Sequence, residues 1–133
     1  MTFRNAVTSG LVNFARFDGR SSRAELRGWL ILVVGLLAAA MLLDALVAAP
    51  LRGVAPWSDP AAHPVAAVTL LALAAPTLAL LNRRLHDVGR SGWWLWLLAV
   101  PVFGWAALAW WLSRPSQPRT NRHGEPAEEL ERL

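Results

Sequence analysis

The sequence predicts an all-α, polytopic membrane protein: an N-terminal amphipathic helix followed by three hydrophobic helices. Three observations carry that expectation. Residues 29–51, 64–81 and 93–112 are apolar runs, and each approaches or exceeds the roughly 17–20 residues a helix needs to cross the hydrocarbon core. Of 133 residues, 55% are hydrophobic and only 17% charged, with eight tryptophans. A soluble domain of that length does not bury three helices that are apolar on every face. Arginines gather beside the runs and stay out of them.

Taken in order, residues 3–17 (FRNAVTSGLVNFARF) place Phe3, Val7, Leu11 and Phe14 at helical spacing. That pattern fits a helix lying in the membrane interface, and equally a helix packed on its own protein. It lacks the apolar core and cleavage site of a secretory signal, so the first span is expected to act as an uncleaved anchor. Gly19 can end this helix. Ser22 and Glu25 then form Ser-x-x-Glu ahead of an apolar run, a capping box for the first span at 29–49. Asp44 is the one ionisable residue within a run. It lies about 22 Å along the helix from Trp29, near the outer interface, where its carboxylate is expected to reach water. The second span is expected over 64–82 and the third over 93–112, with a polar tail at 113–133. In that tail Asn121–Gly124 reads as a turn, and residues 125–133 as a short frayed helix. The tail as a whole reads as poorly ordered or draped over the surface.

Arginine placement gives the orientation, since cytoplasmic loops carry the excess of positive charge. Residues 1–28 hold Arg4, Arg16, Arg20, Arg23 and Arg27, the first loop holds Arg52 alone, and the second holds Arg83, Arg84 and Arg90. The N-terminus and second loop are therefore expected in the cytoplasm. Arg114, Arg119 and Arg122 are the difficulty, because a third full span puts them outside. Two arrangements answer it: 93–112 spans, with tryptophans at both interfaces, or Pro101–Gly104 turns the run back on itself. Because irregular backbone at membrane depth needs protein or water to cover it, three full spans are favoured.

FDGRSSRAEL, RRLHDVGRSGWW and VPVFGW followed by SQPRTNRHGEP stand out as motifs. They resemble those of the bacterial domain-of-unknown-function 805 family of small integral membrane proteins. Arg27-Gly28 replaces an aromatic pair of the family pattern, Arg119-Thr120 replaces a Gly-Glu-like step, and His123 stands where the pattern has tyrosine. The resemblance implies a multi-pass protein of the bacterial inner membrane and supplies no catalytic residues.

Between the second and third runs lies NRRLHDVGRSGWW, residues 82–94. On a helix, Arg83, Asp87 and Arg90 share one face. Gly89 is a helix stop, Ser91 and Gly92 turn the chain, and Trp93 and Trp94 anchor the next run at headgroup depth. One reading is structural: arginines orient the chain and Asp87 neutralises one of them. Another makes Arg20, Arg23, Glu25, Arg83, Arg84, His86, Asp87 and Arg90 a cluster that binds anionic lipid headgroups or a membrane partner, since guanidinium pairs bidentately with phosphate. The free N–H groups near Ser91 and Gly92 would add to such a site. An enzyme acting on a phosphate-bearing substrate is weaker. His86 and Asp87 diverge on a helix, although His86 is placed to meet Glu25, and no nucleophile motif accompanies the serines. A small oligomeric transporter needs a homo-oligomer, for which Gly35 and Ala38–Ala40 are a slender argument.

Without cysteine, disulfides and thiol chemistry are excluded. His63, His86 and His123 lack metal-ligand spacing, so neither a metal nor a cofactor is expected. All thirteen basic side chains are arginine, which fits either a coding bias or phosphate recognition. No nucleic-acid-binding motif accompanies them, so nucleic acid is not an expected partner. Membrane lipids are, along with a second copy of the chain or a membrane protein.

Overall fold

The computed structural model describes residues 1–56 and 63–127. Its regular elements are α1 (Phe3–Val12), α2 (Arg23–Leu51, with a π-helical turn at Asp44–Ala48), α3 (Pro64–Asp87), a 3-10 helix (Gly92–Ala99) and α4 (Phe103–Ser113). The all-α class is as expected. The chain forms two compact units: Met1–Trp29 together with the chain from Pro76 onward, and Leu30–Ala75.

In the first unit α1 is shorter than the expected 3–17. Thr2 Oγ1 accepts from Asn5 N at 3.3 Å to start it, and Asn13 ends it by turning its amide back onto Ser9 O at 2.9 Å. Its buried residues are the small ones, Ala6 and Gly10. A side chain on Gly10 would run into the Trp29 ring, and one on Gly28 would meet the Ala6 methyl at 2.5 Å. Phe3, Leu11 and Phe14 remain more than half exposed. The helix thus packs on its own protein: its small face lies on α2, and its large apolar side chains stay exposed. The fully buried Trp29 donates through Nε1 to Thr77 Oγ1 at 3.0 Å, tying the start of α2 to α3.

The third run is not the single helix expected over 93–112. It breaks at Val100–Val102 between the 3-10 helix and α4. Val102 has φ 65° and ψ −71°, and Phe103 N donates to Pro101 O at 2.8 Å, which closes a γ-turn. Pro101 has no N–H to continue a helix, and Gly104 lets the turn press against Leu97 O where no side chain fits. The two limbs then run side by side. Trp94 meets Trp111 edge-on with centroids 5.0 Å apart, and Trp105 Nε1 donates to Leu98 O at 2.9 Å. The run doubles back as a hairpin.

The second unit has small residues inside and large ones outside. Ala40, Ala45 and Ala49 are buried, while Ile31, Val34, Leu46 and Leu71 are each over 60% exposed. Water does not support that arrangement and hydrocarbon does. The helices Arg23–Leu51 and Pro64–Asp87 have peak mean hydropathies of 2.7 and 2.1, long and apolar enough to cross a bilayer. Asp44 departs from its expected contact with water: it is wholly buried. Its carboxylate accepts from Val65 N at 3.0 Å and Ala66 N at 2.8 Å. The first turn of a helix has N–H groups without partners inside the helix and a partial positive charge, and α3 draws the carboxylate inward. The helix expected over 125–133 lies outside the described residues beyond Ala127.

Asp44→Asn keeps the size but turns one acceptor into a donor facing backbone N–H. We expect it to cost about 1–3 kcal/mol, seen as a lower Tm in detergent. A carboxylate that merely touched water would leave Tm unchanged.

Candidate functional site

The polar residues of the first unit converge on Asp87 at the end of α3. Its side chain is wholly buried between two equally buried guanidiniums. Arg20 Nε donates to Asp87 Oδ1 at 2.8 Å. Arg84 Nη1 donates to Oδ2 from one turn earlier. Gly89, at φ 75°, then stops the helix as expected. Arg90 N bonds Leu85 O at 2.8 Å and Gly89 N bonds His86 O at 3.0 Å, the paired closure of a glycine C-cap.

The expected face of Arg83, Asp87 and Arg90 does not form. Arg83 turns to Glu25, with Nη1 3.3 Å from Oε1. Arg90 lies past the helix stop, and its guanidinium rests 4.7 Å from the centroid of a Trp111 ring. Of the eight residues expected to cluster, Arg20, Glu25, Arg83, Arg84, Asp87 and the half-buried His86 come together, while Arg23 is exposed. His86 does not meet Glu25. The Glu25 carboxylate accepts from Ser9 Oγ at 2.7 Å and Ser21 Oγ at 2.6 Å. Ser22 fills its capping role, its Oγ accepting from Glu25 N at 3.2 Å. His86 Nδ1 lies 3.1 Å from Gly19 O and therefore carries the proton, leaving Nε2 to accept from Asn82 Nδ2 at 3.4 Å. Asn82 also donates to Phe17 O, which fixes the loop ahead of Arg20. Among the turn residues, Ser91 Oγ accepts from Trp93 N at 3.4 Å and starts the 3-10 helix. Gly92 lies where any side chain would strike Asn82.

The tail is strapped to this cluster. Arg20 Nη1 donates to Arg119 O at 2.9 Å and Gly124 O at 3.3 Å, and Nη2 to Gln117 O at 2.6 Å and Asp87 O at 3.2 Å. Arg84 holds Leu112 O at 3.1 Å, Ser116 Oγ at 3.3 Å and Arg114 O. Gln117 N bonds Asp87 O at 3.1 Å, and Asn121 Nδ2 bonds His86 O at 3.0 Å. His123 stacks on His86 with centroids 3.7 Å apart and planes 6° from parallel. Sequence reasoning missed Ser9, Ser21, Asn82, Gln117 and Asn121. Each is a short polar residue outside any pattern of charge or periodicity. The signal that could have pointed to Ser21, Gln117 and Asn121 was the likeness of the entry and tail motifs to the family's.

Beside the strap lies a cavity of about 610 Å³, lined by Arg16, Asp18, Arg20, His86, Arg122 and His123, among others. Arg122 Nε donates to His123 Nε2 at 3.0 Å. Burial holds the His123 imidazole below the usual histidine pKa, and the neighbouring His86, Arg122 and Arg20 push it the same way. No group of three or more His, Asp and Glu able to hold a metal occurs among the described residues. In this cluster Asp87 is held by two guanidiniums and Glu25 by Arg83 and two serine hydroxyls, so the arrangement ties chain segments together.

Removing one partner of a buried ion pair strands the other. Asp87→Asn leaves Arg20 and Arg84 facing an amide, and we expect a loss of about 3–5 kcal/mol by thermal unfolding. Protease cleavage between Pro115 and Gly124 should appear at the same time.

Comparison with known proteins gives this fold its relatives. The family model described as a protein of unknown function, DUF805, matches residues 14–125. The inner membrane protein YhaI of Escherichia coli K12 is 33% identical over 116 residues, covering 87% of this chain and 89% of YhaI. The inner membrane protein YhaH of the same strain is 28% identical over 124 residues, covering 91% and 93%. No solved structure matches. Matched over most of its length, the chain belongs to the DUF805 family and, with these relatives, to the bacterial inner membrane.

Proposed function

We propose that this protein crosses the inner membrane twice, keeps both termini in the cytoplasm, and binds anionic lipid headgroups with the arginines that surround its buried cluster. One observation carries the reading: Arg84, at the foot of α3, holds the carbonyls of Leu112 and Arg114 at the end of the third run. A full third span would carry those carbonyls to the opposite side of the bilayer. With the run folded as a hairpin, Arg114, Arg119 and Arg122 join the arginines of residues 1–28 and 83–90 on one side. Arg52 alone stands in the first loop. The positive-inside bias then has no exception.

The hairpin and α1 suit the inner leaflet. Trp93, Trp96, Trp105 and Trp110 are all more than half exposed, as are Phe3, Leu11 and Phe14. Tryptophan favours headgroup depth, and an apolar helix face buries itself at the acyl boundary. Arg20 and Arg84 are buried, so headgroup binding falls to the exposed or half-exposed arginines around them. Arg23 and Arg27 are exposed on the first turns of α2. Arg90 and Arg114 lean on the rings of Trp111 and Trp110 at 4.7 and 5.8 Å, holding a charge where phosphate meets acyl chain. This is a binding role with no reaction step.

Native mass spectrometry of gently extracted protein tests it. With Arg23, Arg27, Arg90 and Arg114 changed to Gln, retained phosphatidylglycerol should fall about fivefold or more, fivefold being the effect of losing even one surface arginine at ~1 kcal/mol. Phosphatidylethanolamine should be little affected. Retention equal to that of the unaltered protein contradicts the headgroup role.

A further inference from the structure

We infer that the His86–His123 stack is an acid-sensitive latch on the C-terminal strap, and that its release turns Arg20 from strap carbonyls toward headgroup phosphates. The second half rests on the headgroup reading above; the latch itself does not.

The stack is built for two neutral rings. His86 donates through Nδ1 to Gly19 O and accepts at Nε2 from Asn82. A second proton on this ring would face the Asn82 N–H, and Asn82 cannot turn around without giving up Phe17 O. His123 accepts at Nε2 from Arg122 Nε, so a proton there sets one cation against another. With both rings charged, two imidazolium ions would lie 3.7 Å apart. The charged groups facing the pair come from every neighbouring segment. Arg16, Asp18 and Arg20 stand in the loop before α2, Asp87 ends α3, and Arg122 and Glu125 belong to the strap. Arg16 and Asp18 pair with each other at 3.3 Å, and Asp87 is committed to Arg20 and Arg84. Both aspartates facing the rings are thus already paired with arginine.

The sign follows. Burial and cationic neighbours lower the His123 pKa. The neutral stack's contribution is complete above the unfolded histidine pKa, about 6.5, and is lost as pH falls through the lower folded value. The strap is closed at pH 7.5 and opens in acid. It carries Gln117 O, Arg119 O and Gly124 O, which together take up most of the Arg20 donors. Opening keeps the Arg20–Asp87 pair and bares the outer nitrogens. A tyrosine at position 123 would stack without titrating in this range.

The test uses the full chain in nanodiscs and compares it with His123→Tyr. In discs of phosphatidylcholine alone, amide exchange over residues 117–125, corrected for intrinsic rates, should rise at least tenfold from pH 7.5 to 5.0. His123→Tyr should change less than twofold. Equal behaviour of the two proteins overturns the latch. In discs containing phosphatidylglycerol, acid should raise retention of that lipid severalfold in the unaltered protein and not in His123→Tyr. Opening without added retention overturns the Arg20 step while the latch stands; the headgroup reading fails separately, if the variant with Arg23, Arg27, Arg90 and Arg114 changed to Gln retains as much phosphatidylglycerol as the unaltered protein.

Discussion

One carboxylate organises the first compact unit of this protein. Asp87 has no exposed surface and lies between Arg20, which precedes α2, and Arg84, on its own helix. A guanidinium has five donors in a rigid fork, so each arginine satisfies Asp87 and still reaches the chain beyond it. Arg20 reaches the strap and Arg84 the last turn of α4. Buried charge is costly unless paired and hydrogen-bonded. Here the cost is offset by carbonyls that the strap, which has no sheet or helix of its own, would otherwise leave without protein partners. The same contacts account for the strap's order despite its polar, proline-rich sequence.

That dependence explains how a hairpin made of tryptophan and leucine keeps its place. A hydrophobic run of 20 residues gains as much from spanning as from folding back, as far as its side chains are concerned. The chain is directed by its ends. Gly92 holds the start of the run against Asn82, and Arg84 holds its finish. Between them Pro101, Val102 and Gly104 supply the turn. The paired limbs are tied near the bend by Trp105, which donates to Leu98 O, while Val102 and Phe103 stay exposed.

Much of this was legible in the sequence. The first two spans, the Ser22 cap, the Gly89 stop and the importance of residues 82–94 follow from hydropathy and local backbone chemistry, which act over a few residues. The pairing within the cluster was not legible. Helical spacing pointed to Arg83 and Arg90 as partners of Asp87, but long guanidinium stems reach beyond their own face, and Arg20 is 67 residues away in the chain. Asp44 misled for a related reason. Its depth along α2 suggested water, whereas the first turn of α3, whose donors no sequence pattern reveals, takes its carboxylate. The third run misled because length and apolarity favour one continuous helix, and only its distant anchors decide otherwise.

Sidedness of the strap tests the account most directly. The chain has no cysteine, so a single cysteine placed at Thr120, an exposed strap residue, gives an unambiguous label site. A membrane-impermeant maleimide should label it in inverted inner-membrane vesicles and leave it unlabelled in intact spheroplasts. Labelling in spheroplasts would place the strap outside and contradict the hairpin, the clamp on Asp87 and the reading built on them.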